Sequence, residues 1–213
     1  MAAAEALDIT VQGRGGHGSQ PHHAADPIPA ACEIVTAMQV LVTRTVDIFD
    51  PVVITVGSFH AGTANNVIPD EARLRLTIRS FSAASRAQVR EAVVRLVHDI
   101  ASAHGLTATA ELKGSYPATV NDQREARFAA DVVADLLGED RFLPQPNPMA
   151  GAEDFSYVLE QVPGAFVMLG ACPPPVDPAT APFNHSAFAV FDDTVLADGA
   201  TLFTELAVRR LNR

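Results

Sequence analysis

Four stretches of this sequence carry residue types that do chemistry. GRGGHGSQPHH, from Gly13 to His23, sets His17, His22 and His23 among glycines at positions 13, 15 and 18, a spacing that also reads as a phosphate-binding fingerprint. NNVIPDEARLRLTIR, starting at Asn65, offers the Asn66 amide and the Arg79 guanidinium. These are donors suited to a carbonyl and to a carboxylate, which arginine's planar fork binds bidentately. GAEDFSYVL holds Glu153 and Asp154, and FNHSAF holds His185. Each stretch also has an ordinary reading: turn asparagines, an arginine on an open sheet face, acids favoured at a helix start, solvated loop histidines.

The phosphate reading fails on spacing. Dinucleotide-binding glycines open directly onto a helix, whose free N–H groups and dipole hold the pyrophosphate. Here the eight residues SQPHHAAD separate Gly18 from Pro27, and no Lys-Ser/Thr follows to make a P-loop. Three histidines within seven residues suit a metal, but a loop supplies no helical register to make their rings converge.

The elements around these stretches follow from periodicity. ALDITVQ alternates, with Leu7, Ile9 and Val11 on one face, as a half-buried strand does. Asp26 caps a helix opened by Pro27, with Ile28, Cys32, Val35, Met38 and Val42 as its apolar stripe. PVVITVGSF and EARLRLTIRSF read as strands, joined by a loop longer than a hairpin needs. A second helix carries Val89, Val93, Leu96, Ile100 and Ala103 and stops at Gly105, and LTATAELKG alternates as a fourth strand. The order βαββαβ predicts a ferredoxin-like domain over residues 6–117, with both helices on one face of an antiparallel sheet. The overall class is α+β, with residues 118–213 forming a partial α/β segment. That segment holds a helix through Phe128 to Leu137, a short helix from about Asp154 to Gln161, a buried strand Ala165 to Ala171, and a final helix from about Asp193.

Composition narrows the partners. The formal charge is −10, with 25 acidic against 15 basic residues, which argues against nucleic acid and anionic membrane. Cys32 and Cys172 fit no metal or redox spacing and read as two reduced thiols, and the expected compartment is the cytoplasm.

Taken together and in this order, GRGGHGSQPHHAADP, NVIPDEARLRLTIR, GAEDFSYVL and FNHSAF resemble the M20 family of metallopeptidases and amidohydrolases, particularly the branch that cleaves N-acyl amino acids, hippurate-type substrates and amino-acid conjugates. The resemblance implies that the βαββαβ segment is a lid, or dimerisation, domain. It implies a site with two divalent metal ions, zinc or else manganese, cobalt or nickel, and a glutamate general base. By motif, His185 resembles the last metal ligand, His17 the lid histidine that steadies the oxyanion, often across a dimer, and Asn66 and Arg79 the pair holding the substrate carbonyl and carboxylate. Glu153 and Asp154 match a Glu-Asp motif near the pocket, with no sharper role. In the family the other metal ligands and the base lie in a catalytic half ahead of the lid, and no His-x-Asp pair or paired glutamates precede Gly13 here. The expectation is therefore part of a metal-dependent amidohydrolase, a homodimer through its lid, inactive without that half. A non-catalytic dimerisation module and a ferredoxin-like domain sensing a small ligand are the rival readings.

Overall fold

The computed structural model describes residues 1–212, which divide into two compact units. The first contains residues Met1–Val120 and Asn147–Val158. Its elements are β1 (Ala3–Gln12), β2 (Gly16–His17), α1 (Pro27–Thr45), β3 (Val52–Ala61), β4 (Val67–Ile68), β5 (Glu71–Ser80), α2 (Ala83–Ala103) and β6 (Thr107–Tyr116). The long strands form one antiparallel sheet in the order β3-β5-β1-β6, the ferredoxin-like arrangement expected of βαββαβ. Leu7, Ile9 and Val11 of β1 and Leu74, Leu76 and Ile78 of β5 point into one core against α1 and α2. Each such side chain contributes roughly 1.5–3 kcal/mol by leaving water.

Local chemistry starts and stops the helices. Asp26 Oδ1 accepts from the Ile28 N–H at 3.0 Å, with Pro27 in the first turn where its missing N–H costs nothing. Ser82 Oγ accepts from the Ser85 N–H at 3.0 Å, and the Asp50 carboxylate accepts from both hydroxyls, Ser82 at 2.5 Å and Ser85 at 2.6 Å. The two hydroxyls, Ser82 first, favour the charged carboxylate and hold Asp50 below the usual carboxylate range. At the far end of α2, Gly105 takes φ +70°, the left-handed turn glycine adopts freely.

Two expectations about the helices are corrected. In α1 the buried residues are Pro27, Ala30, Ala31, Ile34 and Met38, while Cys32 is exposed. Alanines add little to a hydrophobic pattern, yet their small side chains let a helix lie close on a sheet. In α2 the buried ridge is Val89, Val93, Val97 and Ala101, and Ala103 faces solvent.

The strand β1 also begins earlier than its alternation indicates and carries a buried charge. Glu5 Oε1 accepts from Arg90 Nη1 at 2.7 Å and from Arg86 Nε and Nη2 at 3.3 Å, with the Glu5 side chain 2% exposed. On the opposite, open face of the sheet Asp8 bridges Lys113 at 3.0 Å and Arg75 at 3.4 Å.

The second unit, Asn121–Pro146 with the residues from Leu159 on, holds α3 (Gln123–Leu137) and α5 (Val195–Leu211), while α4 (Phe155–Leu159) lies across the division between units. Asp122 caps α3 by accepting from Arg124 N–H at 2.9 Å and Glu125 N–H at 3.1 Å. Between α3 and α5, Arg209 meets Asp135 at 2.6 Å and Arg210 pairs with Glu125 while its guanidinium sits 4.8 Å over the Phe128 ring. The expected buried strand from Ala165 to Ala171 does not form: Val167, Met168 and Leu169 are 45–50% exposed and no strand is assigned there. A strand exists only through a ladder partner, and the Asn121 side chain supplies one at a single residue, accepting from Phe166 N–H at 2.8 Å and donating to its carbonyl at 3.1 Å. No helix among the described residues is long and apolar enough to cross a membrane.

Candidate functional site

The glycine stretch is built by pairing beyond the end of the main sheet. Past Gln12 the Gly13 N–H donates to Asp70 O at 2.7 Å, and the Gly15 N–H to Asp70 Oδ1 at 2.7 Å. The two chains then form the small β2–β4 ladder, in which Gly16 faces Ile68 and His17 faces Val67. This ladder was not legible as strands, since two residues a side show no alternation. Gly13 has no room for a Cβ, which would lie 2.3 Å from Ala25 O; at Gly15 it would lie 2.8 Å from Ile68 O, and at Gly18 a looser 3.1 Å from Asn66 O. The glycines therefore permit close backbone packing, and none of them opens onto a helix, since α1 starts at Pro27.

His17 and Asn66 are brought together by this ladder. The Gly18 N–H donates to Asn66 O at 2.8 Å, the Gln20 N–H closes a turn onto His17 O at 2.8 Å, and both side chains are exposed to solvent. Among the described residues the exposed Asn66 amide makes no hydrogen bond. The His22 and His23 rings lie 4.1 Å apart, centroid to centroid, tilted 47° to each other, on a short 3₁₀ turn Pro21–His23. Sequence reasoning passed over Asp70 and Ser19, the two residues that fix this loop. The only available signal was the ordinary habit of Asp and Ser to bond nearby backbone.

Arg79 lies at the other end of the sheet, in register with Ala4 on one side and Val53 on the other. It is the strand arginine without an acidic partner: Arg73 holds Glu71 at 2.5 Å and Arg75 holds Asp8, whereas Arg79 is half-buried and makes no ion pair among the described residues. The structure does not bring Asn66 and Arg79 together. Glu71 to Arg79 is one straight run of β5, roughly 26 Å at ~3.3 Å per residue, and the loop lies beyond Glu71. A dipeptide-sized ligand spans about 7 Å, so within one copy it reaches one end or the other.

Glu153 and Asp154 sit at the Arg79 end of the first unit. Their segment is tied there by the Ala2 N–H to Met149 O at 2.9 Å and by the Tyr157 hydroxyl, which donates to Ser115 O. Their backbone carbonyls accept from Ser156 and Tyr157 N–H, so they open α4, which runs only Phe155–Leu159. His185, in the second unit, is exposed and takes φ +72°, a left-handed conformation that a non-glycine residue holds at a cost. No group of three or more His, Cys, Asp or Glu able to hold a metal occurs among the described residues. One imidazole does not hold a catalytic metal, which takes about three protein ligands; these residues alone do not make the centre.

Residues 5–107, the ferredoxin-like domain, match the family model of the peptidase dimerisation domain. These residues are an M20 peptidase dimerisation domain. The chain is 34% identical over its whole length to thermostable carboxypeptidase 1 of Saccharolobus solfataricus, covering 53% of that protein. It is 32% identical over 99% of its length to the hippurate hydrolase of Campylobacter jejuni, again covering 53%. A dinuclear metal binding peptidase of the M20 family from Bacillus subtilis superimposes on all of it with a TM-score of 0.77 and 27% identity, over 51% of that protein. The chain thus spans about half the length of the curated relatives it matches.

Proposed function

We propose that these 213 residues are the lid and C-terminal portion of a metal-dependent amidohydrolase that releases a free amino acid from an N-acyl amino acid or a peptide-like conjugate. The observation that carries this reading is Arg79, a half-buried arginine with no acid to neutralise it, matched by constrained donors at His17 and Asn66. Arg79 receives the carboxylate of the amino-acid part; Asn66 and His17 donate to the amide carbonyl as it becomes an oxyanion. Because these groups stand at opposite ends of one lid, a complete site takes His17 and Asn66 from one copy and Arg79 from another, which makes a homodimer part of the proposal. Hippurate hydrolase and a carboxypeptidase among the relatives support an amide beside a carboxylate as the substrate class.

Two divalent ions, zinc or else manganese, cobalt or nickel, would supply an activated water and oxyanion stabilisation. Of their ligands this chain offers His185, and the remaining ligands and the general base are assigned to residues outside it. The compartment that fits reduced Cys32 and Cys172 is the cytoplasm.

The test begins with the coding DNA next to Met1. A stretch encoding a His-x-Asp pair and paired glutamates supports the proposal, and the joined protein should hydrolyse N-acetyl and N-benzoyl amino acids when given zinc, manganese or cobalt. In that protein Arg79→Gln should raise KM at least tenfold for substrates bearing a free carboxylate, while Arg75→Gln leaves it unchanged. Robust hydrolysis by the 213 residues alone with stoichiometric metal would overturn the assignment of the missing ligands.

A further inference from the structure

A donor role for His17 requires that Nε2 carry the ring proton, and the loop contains a device that decides this. The Ser19 N–H points at His17 Nδ1 at 3.2 Å, and the Ser19 hydroxyl lies 2.8 Å from the same atom. We propose that Ser19 is a positioning residue that holds His17 in the Nε2–H tautomer, so that the imidazole presents one fixed N–H donor. This rests on the reading of His17 as the group that steadies the oxyanion.

The backbone contact sets the direction of the bias, and the shorter hydroxyl contact supplies the larger share of it. A hydroxyl rotates and serves either tautomer, but an amide N–H only donates, so it bonds Nδ1 only when Nδ1 offers a lone pair. With the backbone fixed as donor, the hydroxyl adds a second donor to that lone pair, and in the neutral ring the proton belongs to Nε2. The Ser19 N–H has little freedom to turn elsewhere. Gly18, just before it, donates to Asn66 O at 2.8 Å and lies close against the Asn66 backbone, and Gln20, just after it, donates to His17 O at 2.8 Å. His17 itself is in ladder register with Val67. Among the described residues Nε2 has no hydrogen-bond partner, so the proton held there is available to a ligand. A donor whose orientation is set before the substrate arrives costs no reorganisation when charge develops.

The experiment is 15N NMR of the imidazole rings in the labelled 213-residue chain near pH 8, with His17 assigned by loss of its signals in His17→Gln. The expected result is a single Nε2–H form for His17, against exposed His98 as the averaged reference. Ser19→Ala should raise the Nδ1–H population of His17 roughly fivefold, the factor that one ordinary hydrogen bond supplies, and Ser19→Thr should restore it. A wild-type His17 found mainly as Nδ1–H overturns the proposal by itself, whatever the variants do. So does a Ser19→Ala chain whose Gly16 and Val67 amide signals show the ladder intact but whose tautomer balance is unchanged. The outcome is independent of catalysis: an assembled protein with no amidohydrolase activity would remove the functional reading and leave the tautomer assignment standing.

Discussion

The two units of this chain solve the burial problem to very different degrees. In the first, 18 residues from three strands, two helices and Leu106, just ahead of β6, bury one another in a single core. In the second, only Phe128, Ala129, Val132 and Val133 are buried among the described residues, all on α3, and α5 buries none of its residues. Phe183, Phe188, Phe191 and Phe203 are 56–80% exposed there, a load of apolar surface that soluble domains ordinarily cover. The difference lies in the sheet. The first unit has four paired strands whose inner face gives two helices something to cover; the second has two helices and an apolar segment, Ala165 to Ala171, with no ladder to join. Self-sufficiency here comes from a closed set of strand pairings, and hydrophobic content alone does not supply it.

Hydrogen exchange should show this contrast most strongly. Amides of β1 and β5 should exchange at least about a thousandfold more slowly than those of residues 165–192, because the former open only with the whole unit. Equal protection would break the comparison. Next comes paired truncation. Ile34→Ala, in the first core, should cost about 3 kcal/mol in urea unfolding of that unit. Leu206→Ala, half-buried on α5, should cost under about 1 kcal/mol, and Cys32→Ser on the exposed side of α1 about 0.5 kcal/mol or less. A large loss at Cys32 would restore the stripe that the periodicity indicates. The smallest effect is electrostatic. Asp50 has a depressed folded-state pKa, so its stabilisation of the first unit is present above its unfolded value and lost as pH falls through the folded one. Asp50→Asn should therefore flatten the fall in stability below about pH 4, where ordinary carboxylates titrate. An unchanged acid limb would show that the two hydroxyls do not hold the charge.

Much of the first unit is legible in the sequence because its signals are local. Alternation marks β1 and β5, the Asp26-Pro27 pair starts α1, and Gly105 ends α2, each decided by a few neighbouring residues. The class of chemistry is equally legible, since amide, guanidinium and imidazole donors in this order are there to be read. Their arrangement is not. That His17 stands in a two-residue ladder beside Val67, with Asn66 next to it, follows from a pairing between segments some 50 residues apart in the chain, and that pairing also fixes the loop in which Ser19 meets the imidazole. Which face of α1 is buried was likewise settled by the sheet beneath it, which favoured Ala30, Ala31 and Ile34 over Cys32. The Ala165 to Ala171 segment makes the same point from the other side: its composition is that of a strand, but a strand's hydrogen bonds belong to its neighbour, and only the tertiary structure decides whether a neighbour is there.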